Sequence, residues 1–451
     1  MSIHTGERAQ FANVPQGVRE AVAEQDPRWL IDHRAMSGFQ WAIVALMIGL
    51  NALDGFDVLS ISFASPGIAQ EWGIDRGALG LVLSMELVGM AVGSVLLGRI
   101  ADRIGRRATI LACLPGMAAG MFGAATAASV SALSLWRVLT GLGIGGMLAA
   151  TNAAVAEASN LAKRNLAVVL MAAGYPVGTV IGGSIATALL AHSDWRAVFV
   201  FGGVVTLVFV PLAALWAPES IAFLLHRRPP GALGRVNAVL RRLGHPQIGA
   251  LPGTRVEPSR TPFSRLFSAD LRGLTGLLTL AYLAHVMTFY FILKWIPKIV
   301  ADMGYPASAA GGVLVWASLG GLAGSVSLGL LALRVPVRRL TIIAMIASVL
   351  LVAWFGQGAR DLSGLAWLAA LAGFATNAGV VGLYALLAAS FPTGLRASAT
   401  GFVIGVGRGG SALAPALAGV LLGSGYGLPA VAVLMGLGSA VAAVALLLLR
   451  R

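Results

Sequence analysis

Twelve stretches of this chain, from Gly38–Phe63 to Leu428–Leu449, are each apolar over the roughly 17–25 residues that a helix needs to cross a bilayer. That recurrence leaves few ways to fold. A backbone in hydrocarbon must satisfy its own polar groups, as a helix does within one segment. Only 11% of the 451 residues are charged and 57% are hydrophobic. Such a chain can neither cover a soluble surface nor stay disordered. One cysteine, Cys113, leaves no intramolecular disulfide and no cysteine-based zinc site. The expectation is an all-α polytopic membrane protein with 12 transmembrane helices.

The net charge of +14 acquires its meaning from where the charges fall. An even number of spans puts both termini on one side. The N-terminal tail, the even-numbered junctions and Arg450–Arg451 hold 25 of the 32 Lys and Arg. The other side holds Arg76, Arg196, Lys298 and Arg360, and Arg137, Lys294 and Arg408 lie within spans. By the positive-inside rule both termini are cytoplasmic, in a bacterial-type inner membrane. The basic excess is thus topological, with lipid contact and no nucleic-acid partner. The first 36 residues are charged and lack an apolar core of their own, so the first span is expected to serve as both signal and anchor. A surface helix over Gly17–Arg34 is conceivable, but a solvated tail is the expectation.

One long connection divides the spans six and six. Rich in arginine and proline, it is expected to be a mobile linker with one short helix, Leu233–Leu243. The divisions are therefore a cytoplasmic tail (1–37), a six-helix half (38–216), a basic linker (217–273) and a second six-helix half (274–449). The halves look duplicated. Gly93-Ser-Val-Leu-Leu-Gly-Arg-Ile-Ala-Asp-Arg103 and Gly324-Ser-Val-Ser-Leu-Gly-Leu-Leu-Ala-Leu-Arg334 share seven of eleven positions at an offset of 231. The same offset aligns Gly174 with Gly405 and Gly178 with Gly409. Two pseudo-symmetric halves with a site between them near the midplane is a transporter architecture.

Ionisable groups inside a bilayer cost roughly 2.5–3.5 kcal/mol each on insertion scales and are functional suspects. Here they are Asp54, Asp57, Glu86, Arg137, Glu157, His285, Lys294 and Arg408. Asp54 and Asp57, three apart, share one helix face with Asn51. Two carboxylates so close cannot both ionise cheaply, so one is expected to hold a proton. The alternative is a helix-end pair solvated from outside. Arg408 lies near mid-membrane among Gly405, Gly407, Gly409 and Gly410, which let a helix or a ligand approach. No acid in the second half's spans can neutralise it, so its partner crosses the halves or arrives as an anionic solute. For Arg137, substrate contact and a structural pair with a first-helix aspartate weigh equally. His285, Tyr290 and Trp295 of the seventh span would suit a flat carboxylate, although such aromatics are more often interfacial. Lys294 is expected to snorkel outward. Asn152, Tyr175, Asn377 and Tyr384 are expected to hydrogen-bond between helices.

Gly98-Arg-Ile-Ala-Asp-Arg-Ile-Gly-Arg-Arg107 resembles the loop signature of the major facilitator superfamily, and Arg137-Val-Leu-Thr-Gly-Leu-Gly-Ile-Gly145 resembles its fourth-span motif. Asp54-Gly-Phe-Asp57, with Phe391-Pro-Thr-Gly-Leu-Arg396 and Gly407-Arg408-Gly-Gly, is similar to the aromatic acid:proton symporters within it. The resemblance implies an importer of a benzoate-type carboxylate. Asp54 and Asp57 would couple protons, and Arg408 would hold the anion with Arg137, His285, Tyr290 and Trp295. Asp102, Arg103, Arg106, Glu157 and Arg396 would gate the cytoplasmic side, Glu157 pairing with Arg103 or Arg106. Leu333 replaces Asp102 in the second copy, so an equivalent second latch is not expected. The alternative within the same fold is a proton-coupled exporter of drugs or metabolites.

Other chemistries lack support. None of the three lysines sits in a phosphate-binding loop, and no H-E-x-x-H or nucleophile-elbow pattern occurs. A non-enzyme acting as a monomer, with no cofactor and no metal, is the expectation.

Overall fold

Twelve long helices occur where the apolar stretches call for them in a computed structural model, which describes residues 26–252, 263–359 and 361–449. They are α1 (Gly38–Trp72), α2 (Arg76–Ile104), α3 (Arg106–Ala125), α4 (Val130–Ala158), α5 (Arg164–Leu190) and α6 (Arg196–Trp216), then α7 (Arg272–Asp302), α8 (Ala307–Leu331), α9 (Val337–Gly356), α10 (Leu362–Ser390), α11 (Thr393–Gly423) and α12 (Leu428–Leu448). Short connections make successive helices antiparallel, so the odd-numbered ones start on the face that bears both termini.

The first helix outruns its expected end at Phe63 and continues to Trp72. Pro66 cannot donate to the Ser62 carbonyl, and Ser65 Oγ donates to that oxygen instead, at 2.8 Å. Gly73 then closes the helix at φ +58°, and Asp75 caps α2 by accepting from Ala78 N at 2.7 Å. Glu71 accepts from both terminal nitrogens of Arg196 and from Trp195, stapling α1 to the start of α6.

The duplication is visible in the packing. In the first half α1 lies on α5, α2 on α4 and α3 on α6, and in the second α7 lies on α11, α8 on α10 and α9 on α12. A side chain at Gly89 or Gly93 would strike the carbonyl of Val138 or Leu142, and one at Gly320 or Gly324 would strike that of Ala370 or Phe374. These are the same contacts displaced by one repeat, and they bring the helix backbones together as small residues do in lipid. Between the halves, α2 meets α11 and α5 meets α8.

The halves converge on the face away from the termini. There Arg76 bridges to Asp302 at 3.0 Å, and Gly80 and Gly419 allow α2 and α11 to touch. Every hydrogen bond or ion pair that crosses between the halves, among the described residues, lies between mid-depth and that face. On the terminus-bearing side none crosses among the described residues, and Gly401, Gly405 and Gly409 of α11 have nothing within 4 Å there, so the bundle is open toward the termini.

The linker forms its expected helix, at Ala232–Leu243, and adds a second one, Ile221–Arg227, and a 3-10 turn at Phe263–Phe267. Leu224, Val236 and Leu240 are buried in the core, and the Arg242 guanidinium lies 4.6 Å from the Phe39 ring centre. Apolar spacing at Val236, Val239, Leu240 and Leu243 gives the helix one face to bury, which outweighs the flanking prolines. The end of the tail docks as well: Pro27–His33 is helical, Leu30 is buried, and Asp32 pairs with Arg164. The remainder of the tail, including residues 17–25 of the conceivable surface helix, and Arg255, Arg260, Arg360, Arg450 and Arg451 lie outside the described residues.

Candidate functional site

The intramembrane charges gather around the middle of α1. Asp54 and Asp57 are buried, as the shared helix face requires, and no protein donor among the described residues reaches any of their four carboxylate oxygens. Asp54 is within electrostatic reach of Arg408, and Asp57 of Arg137 and Glu86. The pair is therefore no solvated helix end. Asn51, the third residue of the stripe, donates to the Met171 carbonyl at 2.7 Å and ties α1 to α5.

Arg137 reaches the first helix as expected, but at the Asp57 backbone, and its ion pair is with a different acid. It forms an ion pair with Glu86 of α2 and donates to the backbone carbonyl of Asp57 at 2.8 Å, fully buried, with its guanidinium 5.4 Å from the Phe199 ring centre. In this conformation no solute reaches it. Lys294 does not snorkel. Its ammonium lies 3.3 Å from Glu86 and donates to the Val58 carbonyl, also fully buried. Two cations, one from each half, thus share one carboxylate and hold adjacent carbonyls of α1. The physical reason is charge compensation: a buried cation needs a counter-charge, and Glu86 is the one within 4 Å of each. Sequence reasoning counted Glu86 among the intramembrane charges but gave it no task.

Arg408 is different. Midway along α11, it is partly exposed, and among the described residues no carboxylate lies within 4 Å. One nitrogen donates to the Met90 carbonyl of α2 at 3.0 Å. Four of the six tyrosines collect near it. Tyr282 and Tyr290 of α7 are within its electrostatic reach, the hydroxyls of Tyr282 and Tyr384 are 3.1 Å apart, and Tyr175 of α5 faces Tyr290. Tyr384 is 43% exposed. A narrow cleft between the halves, lined by Tyr175, Phe289, Leu293 and Asn377 among others, meets this group at Tyr175. Tyr384 joins α10 to α7, as expected, and both it and Tyr175 sit at this site. Nothing in the sequence alone brings them to one place, because they lie on different helices.

The glycines beside Arg408 explain its accessibility. Gly174 and Gly178 press against the carbonyls of Ile48 and Ala52, whereas their repeat partners Gly405 and Gly409 have nothing within 4 Å of where a side chain would begin. In the second half, Gly407 accommodates the Tyr282 ring and Gly410 meets the Leu283 carbonyl instead. Helix α11 is therefore rotated in its contacts relative to α5. A bare strip including Gly401, Gly405 and Gly409 is left on the face that carries Arg408.

Two other expected site residues are engaged in packing. His285 Nε2 donates to the Thr376 carbonyl at 2.9 Å, so its Nδ1 accepts from the Ser439 hydroxyl, also at 2.9 Å. Both bonds join α7 to its neighbours. Trp295 is buried and donates to the Pro415 carbonyl at 3.2 Å.

At the terminus-bearing end, Arg106 bridges Asp102 at 2.8 Å and Glu157 at 3.5 Å, while Arg103 and Arg396 are exposed. Glu219, missed in the sequence, accepts from the Arg106 and Arg107 amides at 2.8 and 3.3 Å, a carboxylate at the positive end of α3. Gly105 makes this possible: at φ +104°, any side chain there would lie 2.2 Å from the Glu219 carboxylate. The signal was one of only three acids in a strongly basic linker. Ser220 joins Glu157. All these partners belong to the first half and the linker, so the cluster does not bridge the halves while this face is open. Leu333, in place of the second aspartate, is 82% exposed.

A sequence model of the Major Facilitator Superfamily matches residues 47–356 and 278–451. The chain belongs to that superfamily. It is 30% identical over 420 residues to the gallate transporter of Pseudomonas putida, covering 92% of this chain and 93% of that one. It is likewise 30% identical to the 4-hydroxybenzoate transporter PcaK of Pseudomonas aeruginosa, over 95% of this chain and 96% of that one. A third relative is the 3-(3-hydroxy-phenyl)propionate transporter of Escherichia coli, 30% identical over 85% and 86% of the two chains. Among solved structures, a bacterial homolog of the human lysosomal transporter Spinster in an inward-facing, unoccupied conformation superposes with a TM-score of 0.71 at 17% identity, over 92% of this chain and 97% of that one. A D-xylose-proton symporter gives 0.68 at 16% identity, over 89% and 97%. These two establish the fold. The protein is a membrane transporter rather than an enzyme.

Proposed function

We propose that the chain imports an aromatic monocarboxylate together with protons, by alternating access across a bacterial inner membrane, with both termini in the cytoplasm. Arg408 carries this reading: a guanidinium at mid-depth, open to the vestibule and within 4 Å of no described acid, offers a two-point contact to a visiting carboxylate. Tyr290, Tyr282, Tyr175 and Tyr384 supply ring faces and hydroxyls for the rest of the solute. The aromatic character is supported by relatives named for gallate, 4-hydroxybenzoate and 3-(3-hydroxy-phenyl)propionate. Arg137, His285 and Trp295 hold the walls of the site instead of touching the anion in this conformation.

Asp54 and Asp57 accept the protons. They are buried, they have no protein donor among the described residues, and Asp54 lies within electrostatic reach of Arg408, so a proton on α1 and an anion on α11 influence one another. One proton per monoanion makes the cycle electroneutral, and each further proton adds about 2.3 kcal/mol per 100 mV of membrane potential. The cytoplasmic placement of the termini rests on the distribution of Lys and Arg. One chain encloses the whole site, so the monomer is the working unit, and Asp102, Arg106 and Glu157 act in gating the cytoplasmic side.

The test is uptake into proteoliposomes under an imposed pH gradient, comparing hydroxylated benzoates with non-aromatic acids. Uphill accumulation of the aromatic acids, abolished by dissipating the gradient, is expected. Asp57→Asn should abolish accumulation while leaving binding largely intact. Ordinary uphill uptake by that variant would refute the proton role, and resistance to toxic compounds without uptake would reverse the direction.

A further inference from the structure

Among the described residues, Lys294 makes two fully buried contacts across the halves, one to Glu86 and one to the Val58 carbonyl. We propose that Lys294 is the lock of the transport cycle: its grip on Glu86 and on the Val58 carbonyl holds the opposite face shut, and its release opens that face.

The geometry is specific. Lys294 comes from α7 of the second half, whereas Glu86, Val58 and Arg137 all belong to the first. When the halves part on the opposite side, Arg137 keeps Glu86 and the Asp57 carbonyl, and only Lys294 loses its partners. The first half then retains a neutral Arg137–Glu86 pair, and Lys294 enters an opening that admits water. No buried charge is stranded in either state, as a reversible lock requires. The other bonds across the halves are of another kind. Arg76–Asp302 is exposed, where an ion pair contributes little, and Arg408 binds only a backbone carbonyl. Lys294 also takes the carbonyl next to the one held by Arg137, so the lock closes on the turn of α1 that carries Asp57. The inference holds whichever solute is carried.

Lys294→Met tests it, because it removes the ammonium while leaving Arg137–Glu86 paired. In a Cys113→Ala background, Thr187→Cys reports the opposite face, where Thr187 packs near Gly311 of the other half, and Gly405→Cys reports the open vestibule. A membrane-impermeant maleimide should label Thr187→Cys roughly tenfold faster when Lys294 is Met, within the range of couplings between two states. Labelling of Gly405→Cys should slow in the same variant. Unchanged rates at both positions would overturn the proposal, as would a rise at both, which means loosening without a switch. Lys294→Gln, which keeps a donor for the Val58 carbonyl, should shift both rates in the same directions by less. If neither variant folds, Lys294 is a structural group and the proposal fails.

Discussion

Three acids lie buried within reach of one another, yet their removal should have unequal consequences. Glu86 is shared by two fully buried cations. Glu86→Gln preserves shape but leaves Arg137 and Lys294 facing each other without a counter-charge. Breaking a buried pair in this way costs about 3–5 kcal/mol. Among the described residues Asp54 accepts no protein hydrogen bond and meets no cation within 4 Å, so Asp54→Asn discards no bond and should change stability by less than about 1 kcal/mol. The assay is reversible unfolding in mixed micelles, with helix content followed against denaturant. The double variant Glu86→Gln with Lys294→Met strands one cation instead of two. It should be more stable than Glu86→Gln alone, with a coupling of about 1–3 kcal/mol. If Glu86→Gln unfolds with wild-type stability, or Lys294→Met adds to the damage, the shared-carboxylate account is wrong.

Three further outcomes are expected. Arg408→Gln should weaken binding of 4-hydroxybenzoate to purified protein by about 10–100-fold, since a hydrogen bond to a charged group contributes about 1.5–3 kcal/mol, with Arg408→Lys retaining part of it. Equal affinities by calorimetry would count against Arg408 as the anion site. Gly105→Ala should destabilise the protein by about 1–3 kcal/mol through its φ of +104° and its collision with Glu219, read as loss of monodisperse material in gel filtration. Gly178→Ala should abolish folding, because its Cβ would lie 1.8 Å from the Ala52 carbonyl, whereas Gly409→Ala should purify like wild type.

How much of this could be read from the chain depends on the range of the interaction. Helix number and the two-half plan follow from apolar length and an internal repeat, both local properties, and the packing of Gly93 and Gly324 repeats as their alignment implies. Arg408 was legible as a mid-span cation with no acid in the apolar stretches of its own half. The destinations of Arg137 and Lys294 were not, because Glu86 is 51 residues from one and 208 from the other, and only the assembled bundle makes them neighbours. The linker helix was legible at Leu233–Leu243, whereas the packing of its Val236, Val239, Leu240 and Leu243 against the bundle was not, because that surface comes from distant segments. Gly405 and Gly409 aligned with Gly174 and Gly178, yet identical letters serve contact in one half and clearance in the other.

That clearance bears on how cargo preference can drift over generations. At Gly89, Gly93, Gly178, Gly320 and Gly324 a larger residue would collide with a neighbouring backbone, at a cost to the fold. Along Gly401, Gly405 and Gly409 the newcomer meets only space beside Arg408. Mutations that reshape what is accommodated therefore spare the scaffold, and a lineage built on this framework can change its diet one methyl group at a time.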